Sequence, residues 1–259
     1  MPYIEFKNRR LFYASNRGEE RGPTTLVLIH GAGGSHLDWP PQMRKEPYWV
    51  AALDLPGHGR SALPGCESID DYAEVVRDFI QGLGSPPLVL AGHSMGGAIV
   101  QSIALDPPPN LKGLVLVASG SRLRVAPELL EAAPSEFEQT VDRIISFAWS
   151  KNSPSEVIEL GRKLMLQGDP TTLRGDFLAC NQFDLMQALE AIRLPTLIIC
   201  GTEDRLTPPK FSQFMADGIS QSRLEMVAGA GHMVMLEKPD EVTESITDFV
   251  LQCGSRAVS

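Results

Sequence analysis

Uninterrupted apolar runs alternate with amphipathic stretches along most of this chain. Runs that are almost wholly apolar are typical of strands buried on both faces. They occur at residues 25–29, 49–53, 88–91, 114–118 and 196–200. Residues 223–227 alternate more and predict a strand near a sheet edge, and residues 3–6 and 11–14 predict two short strands at the start.

Apolar positions recur at helical spacing between the strands. Residues 68–83 give the clearest pattern, with Ser68 as the predicted cap. Thr207 and Pro208 predict the start of another helix. The other helices outside the region described next are predicted over 97–105 and 239–251. Strands alternating with helices predict an α/β fold with a mostly parallel, doubly wound sheet.

The alternation stops between residues 121 and 194, where no strand is predicted. Helical segments fill this stretch at residues 127–133, 136–149, 155–166 and 171–189, separated by prolines and by the pairs Gly168-Asp169 and Gly175-Asp176. We interpret residues 121–190 as an all-helical cap inserted into a core formed by residues 1–120 and 191–259. The alternative is a set of ordinary helices packed at the sheet edge.

Composition narrows the class of protein. The 259 residues are 43% hydrophobic and carry a net charge of −9, which argues against nucleic acid as a partner. No apolar run has the roughly 18 to 20 residues of a membrane helix, and residues 1–10 lack the apolar segment of a secretory signal. The four cysteines are scattered without a CxxC pair, unlike a disulfide framework or a zinc site. We therefore expect a cytoplasmic protein with free thiols that binds no membrane.

The stretch LAGHSMGG, residues 90–97, contains the pattern G-x-S-x-G around Ser94. A buried strand precedes it and a helix follows, which is the context of a nucleophile elbow. Gly92 and Gly96 remove side chains that would clash in so tight a turn. The sequence therefore predicts Ser94 as a nucleophile at the start of a helix.

A serine hydroxyl needs a base, and the base needs an acid behind it. His232 is the only histidine late in the chain, in a loop after the last predicted strand. Asp204 follows the strand at 196–200, and the chain order Ser, Asp, His supports it over its neighbour Glu203. Structural roles are favoured for the remaining histidines, which are His30, His36, His58 and His93.

A tetrahedral oxyanion needs N–H donors. The N–H of Met95, at the start of the helix after Ser94, is one candidate. The second is expected from the glycine-rich loop after residues 25–29, where Ala32 is favoured and Gly33 stays open.

Several motifs together resemble the α/β-hydrolase superfamily, close to its esterase and lactonase branch. The matching stretches are HGAGGS (30–35), DLPGHGRS (54–61), GHSMGG (92–97), PTLIICGTEDRLTPP (195–209) and GAGHMVMLEKP (229–239). The resemblance implies the α/β-hydrolase fold, a triad of Ser94, Asp204 and His232, a cap that selects substrates, and no metal or organic cofactor. Members of this fold that use an aspartate at the elbow are excluded, because the residue here is Ser94.

The first hypothesis for the reaction is hydrolysis of carboxylic esters of small to medium acyl compounds through an acyl-enzyme on Ser94. Enol-lactone or carbon–carbon bond hydrolysis of an aromatic-degradation intermediate is the alternative, and a carboxylated substrate would need a cation from Arg122, Arg124 or Arg174. A non-catalytic receptor on the same fold is the third hypothesis.

The expected partner is a small-molecule ester or lactone, and the protein is expected to be a monomer or homodimer. Candidate pocket residues, each of which has core packing as its alternative, are His36, Leu37, Phe147, Trp149, Met165, Met186 and Met233.

Overall fold

A mixed, mostly parallel sheet forms the centre of the protein. The computed structural model describes residues 3–6, 9–16, 24–84 and 86–255. In these residues eight strands lie in the order β1-β2-β4-β3-β5-β6-β7-β8. Their bounds are Tyr3–Phe6 (β1), Arg9–Ser15 (β2), Thr25–Ile29 (β3), Trp49–Leu53 (β4), Leu88–His93 (β5), Leu111–Val117 (β6), Thr196–Gly201 (β7) and Ser222–Val227 (β8). All the predicted strands are confirmed, and β8 is the predicted edge strand.

Only β2 runs against the other seven strands. β1 pairs with β2 and β2 with β4 in antiparallel register, whereas β3 to β8 pair in parallel. β3 lies between β4 and β5, so the chain crosses to the other side of β3 after β4. The carboxyl ends of strands at such a reversal border a crevice where ligands bind in α/β folds.

The apolar runs form strands because both faces of the sheet are covered. The core helices are Ile69–Leu83 (α1), Met95–Leu105 (α2), Pro209–Gly218 (α7), Val234–Glu237 (α8) and Pro239–Ser255 (α9). In β3, Val27 and Ile29 pack into a core with α1 and α2, whereas Leu26 and Leu28 pack into a second core with α9.

Two local predictions about helix ends have different outcomes. Ser68 caps α1, as predicted, by accepting a hydrogen bond from the N–H of Asp71. Thr207 as a helix cap is wrong: Pro208 holds the cap position of α7, and the Thr207 hydroxyl bonds to Asp204 instead.

The stretch from residue 121 to residue 194 contains helices and no named strand, as predicted. Its helices are Pro127–Ala132 (α3), Phe137–Ala148 (α4), Ser155–Met165 (α5) and Pro170–Gln182 (α6). An isolated antiparallel bridge between Arg122 and Asp184 joins its two ends. The last predicted helix, 171–189, is too long, and Gly175-Asp176 lies inside α6 instead of breaking it.

We refer to residues 121–190 as the helical insertion. Its status as a separate domain stays a prediction, and the outer limits of the predicted core, residues 1–2 and 256–259, lie outside the described residues. Over the described part of the chain, no helix combines the length and apolarity needed to cross a bilayer.

Candidate active site

Ser94 sits at the sharp turn between β5 and α2. Its backbone has φ 51° and ψ −115°, a conformation that costs a non-glycine residue about 1–3 kcal/mol. Two hydrogen bonds hold it there: the Ser94 N–H donates to the Val117 carbonyl at 2.9 Å, and the Ser119 hydroxyl donates to the Ser94 carbonyl at 2.7 Å. The half-buried Ser94 therefore lies at the positive N-terminal end of α2.

Glycines allow three backbone segments to meet around Ser94. A Cβ atom on Gly92 would overlap the carbonyl oxygen of Gly96, and one on Gly96 would overlap the carbonyl oxygen of Ile29. A Cβ on Gly31 would lie 3.1 Å from the Ser94 Cβ. The turn after β3 thus reaches the serine because side chains are absent here.

His232 and Asp204 form a buried pair. His232 Nδ1 lies 2.9 Å from Asp204 Oδ2, and the Thr207 hydroxyl donates to the same oxygen at 2.8 Å. The N–H groups of Leu206 and Thr207 both donate to Asp204 Oδ1 at 2.9 Å. Burial alone would raise the pKa of Asp204, but His232 and these donors hold it below its ordinary value. Asp204 is therefore an anion that can orient His232 and stabilise its charge.

His93 places the His232 loop beside the elbow. Its Nε2 lies 3.1 Å from the His232 carbonyl oxygen, and the two rings contact at an interplanar angle of 54° with centroids 4.7 Å apart. Burial and the neighbouring His232 lower the pKa of His93 to about 3, so it stays neutral. Within the described residues the Ser94 hydroxyl and His232 Nε2 make no hydrogen bond, which leaves both available to a substrate or to each other.

The Gly33 N–H, left open as an oxyanion donor, is occupied. It donates to Asp176 Oδ2 at 2.8 Å. No acceptor for the N–H of Ala32 or of Met95 is found in the described segments. Ala32 and Met95 therefore remain the pair of candidate donors.

His36 and Leu37 lie in a single 3₁₀ turn, His36–Asp38, after the glycine turn. The His36 ring bonds through Nδ1 to Asp54 Oδ1 at 2.8 Å, and it lies tilted against the Phe12 ring with centroids 5.0 Å apart. Leu37 is 44% exposed. This geometry favours a structural role for His36, and substrate contact by either residue stays a prediction.

Phe147 and Trp149 lie at the end of α4. Phe147 is 42% exposed, with the Arg205 guanidinium 5.3 Å from its ring centroid. Trp149 is buried, and its Nε1 has no partner in the described residues. A Cβ on Gly161 would lie 3.0 Å from the Trp149 ring, so this indole packs against α5.

The three candidate methionines lie in different surroundings. Met165 is near the glycine turn, since a Cβ on Gly33 would lie 3.6 Å from its Cγ. Met186 contacts Arg122 instead, with its Sδ 3.6 Å from a guanidinium nitrogen. Met233 follows His232 directly. Met165 and Met233 thus adjoin the candidate site, and their contact with substrate stays a prediction.

Sequence reasoning missed two links between the helical insertion and this site. The first link is Asp176, which binds the glycine turn. The sequence signal that could have revealed it is a carboxylate on the same helix face as the buried residues Leu173, Phe177 and Cys180. The Ala148 carbonyl, at the end of α4, accepts the N–H groups of His232 (2.9 Å) and Met233 (3.1 Å). A backbone acceptor of this kind leaves no signal in the sequence.

Glu237 reinforces the second link. Its carboxylate accepts hydrogen bonds from the N–H groups of Ser150 (3.0 Å) and Gly231 (2.9 Å) and from the Ser153 hydroxyl (2.6 Å). The loop that carries His232 is therefore joined to the residues after α4.

The described ranges contain no group of three or more His, Cys, Asp or Glu side chains that could hold a metal ion.

Comparison with known proteins identifies the family. A model described as "Alpha/beta hydrolase family" matches residues 26–245. The solved structure of a thermophilic esterase superposes with a TM-score of 0.84 at 34% sequence identity and covers 97% of both chains.

Two curated relatives indicate the range of reactions. A pimeloyl-[acyl-carrier protein] methyl ester esterase of Nitrosomonas europaea is 27% identical, over 83% of this chain and 91% of the relative. An (E)-2-((N-methylformamido)methylene)succinate hydrolase of Acinetobacter baylyi is also 27% identical, over 94% and 95%. The chain belongs to the alpha/beta hydrolase family, and it is a hydrolase with esterase-type relatives.

Proposed function

We propose that the protein hydrolyses carboxylic esters of small to medium acyl compounds through an acyl-enzyme on Ser94. The observation that carries this proposal is the positive φ of Ser94 in the turn between β5 and α2. Such strain persists only where surrounding structure holds it, and it presents a side chain at the mouth of the crevice. The buried His232–Asp204 pair beside it supplies the base.

The reaction follows from these positions. Ser94 Oγ attacks the ester carbonyl carbon while His232 Nε2 takes its proton, and Asp204 stabilises the resulting imidazolium. The N–H groups of Ala32 and Met95 bind the oxyanion. His232 then gives the proton to the departing alcohol. Water, deprotonated by His232, attacks the acyl-enzyme and releases the carboxylic acid, which restores Ser94.

Enol-lactone or carbon–carbon bond hydrolysis of a carboxylated compound receives less support. The relative from Acinetobacter baylyi is named for a succinate compound. However, Arg122 and Arg124 are about half exposed and pair with Asp184, at 3.5 and 3.8 Å, and Arg174 is exposed. A partner for a substrate carboxylate therefore has to come from elsewhere.

The proposed setting is the cytoplasm, because Cys66, Cys180, Cys200 and Cys253 are all buried and none of them forms a disulfide. We propose no cofactor, and a monomer or homodimer as the working assembly.

The test uses 4-nitrophenyl esters from acetate to laurate with the wild type, Ser94→Ala and a matched control, Ser102→Ala. The Ser102 hydroxyl lies on the same helix and bonds to Asp70 at 2.8 Å, so its loss should leave kcat/KM within about twofold. Ser94→Ala should lower kcat by a factor of about 10⁴ or more.

The optimum chain length should then report the size of the acyl pocket. If the wild type turns over none of these esters, ester hydrolysis is wrong, and enol-lactones and ring-cleavage products are assayed next. Binding without turnover on those as well would favour a receptor.

A further inference from the structure

A buried carboxylate joins the helical insertion to the candidate oxyanion site. Asp176, on α6, is fully buried and accepts three hydrogen bonds. The donors are the Gly33 N–H at 2.8 Å, His58 Nε2 at 2.8 Å and the Tyr72 hydroxyl at 2.6 Å. They belong to the turn after β3, the loop after β4 and α1. One side chain thus fixes three core segments to α6.

His58 carries a positive charge in this cluster. Its Nδ1 lies 2.9 Å from the Pro56 carbonyl oxygen, and its Nε2 faces Asp176. Both partners are acceptors, so the ring satisfies both only when both nitrogens are protonated. Burial alone would lower the pKa of His58, but Asp176 raises it above its ordinary value. Asp176 is therefore held in place by a charged partner as well as by neutral donors.

The Gly33 N–H lies within a tight turn. The Gly34 N–H donates to the Gly31 carbonyl at 3.1 Å, and Gly33, in the third position, has φ 64°. A positive φ there is typical of a type II turn, in which the central peptide is turned over relative to type I. In this turn the central peptide joins Ala32 to Gly33, and its N–H is the group that Asp176 binds.

Apolar side chains of the helical insertion cover the same turn. A Cβ on Gly33 would lie 3.0 Å from Leu173 Cδ1 and 3.7 Å from Met165 Cε. Gly33 is half-buried beneath these side chains and its acceptor Asp176 is fully buried, so the bond from the Gly33 N–H to the carboxylate is stronger than it would be at the surface.

We propose that Asp176 is a positioning residue for the oxyanion hole. By binding the Gly33 N–H, it fixes the Ala32–Gly33 peptide, and with it the Ala32 backbone whose N–H binds the oxyanion. Gly33 is thereby withdrawn from the reaction, and the hole forms only when α6 is seated. This inference rests on the proposed function, because it assigns Asp176 a part in that same site.

The kinetic test compares Asp176→Asn with a matched control, Asp184→Asn. Both carboxylates lie in the helical insertion, but Asp184 is partly exposed and pairs with Arg122. Since removal of an oxyanion donor costs about 10²–10³ in kcat, a displaced donor in Asp176→Asn should cost about 10- to 100-fold. KM should stay within about twofold, because the ground-state carbonyl uses these donors less. Asp184→Asn should change neither parameter.

A trifluoromethyl ketone supplies a readout that a general loss of structure would not mimic. Ser94 adds to its carbonyl and forms a tetrahedral oxyanion, so its inhibition constant should rise in Asp176→Asn by the same factor as kcat falls. Affinity for the product carboxylic acid should stay within about twofold. Equal weakening of both ligands would overturn the proposal.

A second variant and a direct probe cover the case in which Asp176→Asn does not fold. Tyr72→Phe removes one donor and keeps the ring, and we expect a fall in kcat of about three- to tenfold. Hydrogen exchange of the Gly33 amide, followed by NMR, should be slow in the wild type and faster in the variant. Unchanged exchange and unchanged kcat in Tyr72→Phe and Asp176→Asn would overturn the proposal.

The exchange measurement also separates this inference from the proposed function. If the wild type hydrolyses no ester, the proposed function fails. In that case faster exchange of Gly33 in the variants would still support the positioning of the turn by Asp176, and unchanged exchange would overturn it.

Discussion

Two buried His–Asp pairs in this chain have nearly the same geometry but differ in whether the second ring nitrogen of the histidine has a hydrogen-bond partner. His232 Nδ1 lies 2.9 Å from Asp204, and His58 Nε2 lies 2.8 Å from Asp176. His232 has one ring nitrogen with no partner among the described residues. His58 uses both, because its other nitrogen faces the Pro56 carbonyl. A histidine can exchange protons with a substrate only through a nitrogen that the protein has not already used.

The neighbours of the two pairs repeat a common arrangement. A second histidine ring contacts the histidine of each pair in a tilted arrangement at a centroid distance of 4.7 Å: His93 against His232, and His30 against His58. Burial and the adjacent ring lower the pKa of His93 to about 3 and that of His30 to about 4. Each pair thus contacts a ring that stays neutral, so the difference between the pairs lies in the vacant nitrogen. Under the proposed function, the first pair transfers protons and the second pair positions the backbone.

The largest expected effect concerns the acid of the first pair. Asp204→Asn should lower kcat by about 10⁴-fold, because the amide favours the wrong tautomer of His232. Glu203→Gln is the matched control, since the Glu203 carboxylate only approaches the Lys151 N–H at 3.4 Å, and kcat should stay within about threefold. A larger loss in Glu203→Gln than in Asp204→Asn would exchange their assignments.

The second prediction separates stability from activity. His58→Gln should lower the free energy of unfolding by about 3–5 kcal/mol, because Asp176 would remain buried without a cation. His232→Gln should abolish turnover but cost only about 1–2 kcal/mol, since Asp204 keeps the donors of Leu206 and Thr207. Urea unfolding of both variants measures the loss of stability, and ester assays measure the loss of turnover. Equal destabilisation would mean that the two pairs do not differ in role.

The third prediction concerns pH. His30 and His93 stay neutral when folded, whereas in the unfolded chain they bind protons below their ordinary pKa of 6.5. Stability should therefore fall as pH falls from 6.5 toward about 4, by about 1.4 kcal/mol per pH unit for each histidine. For His58 the folded pKa is raised, so its contribution is complete below 6.5 and is lost as pH rises through the folded value.

His93→Gln isolates one of these contributions. Urea unfolding at several pH values between 6.5 and 4 should give a slope shallower than that of the wild type by about 1.4 kcal/mol per pH unit. Parallel slopes would show that His93 is not held neutral by the fold.

The smallest expected effect concerns the hydrogen bond that the Thr207 hydroxyl donates to Asp204. Thr207→Val should lower kcat by less than about tenfold and the free energy of unfolding by about 1 kcal/mol, because one hydrogen bond to Asp204 is lost. Thr243→Val is the control, since the buried Thr243 hydroxyl has no partner in the described part of the chain and its loss should be neutral or stabilising. Equal effects of the two substitutions on kcat would argue against a part for Thr207 in the site.

The sequence predicts the first pair better than the second. Ser94 and Asp204 each follow a buried strand and His232 follows the edge strand β8, and strand ends at one edge of a parallel sheet converge. Asp176 has no such signal: its partners Gly33, His58 and Tyr72 are 104 to 143 residues away along the chain. Only the folded protein brings them together.

Two predictions about helix boundaries are wrong because the residues concerned, a glycine and a threonine, each have more than one common structural role. Gly175 beside Asp176 is typical of a turn, yet α6 continues through it. The glycine is needed there for packing, because a Cβ would lie 2.7 Å from the Cys66 carbonyl oxygen. Thr207 before Pro208 is typical of a helix cap, but its hydroxyl serves Asp204. Packing against Cys66 in the first case, and a hydrogen bond within the Asp204 loop in the second, use a residue that local rules assign to a turn or a helix cap.

The acceptor at Ala148 limits how this protein can be recombined with its relatives. The helical insertion supplies that carbonyl to the His232 loop and supplies Asp176 to the glycine turn. A chimera that grafts a foreign insertion onto this core would therefore exchange parts of the scaffold of the candidate site together with the helices of the insertion. We expect directed evolution of specificity to succeed more often through side-chain changes on these helices than through their wholesale replacement.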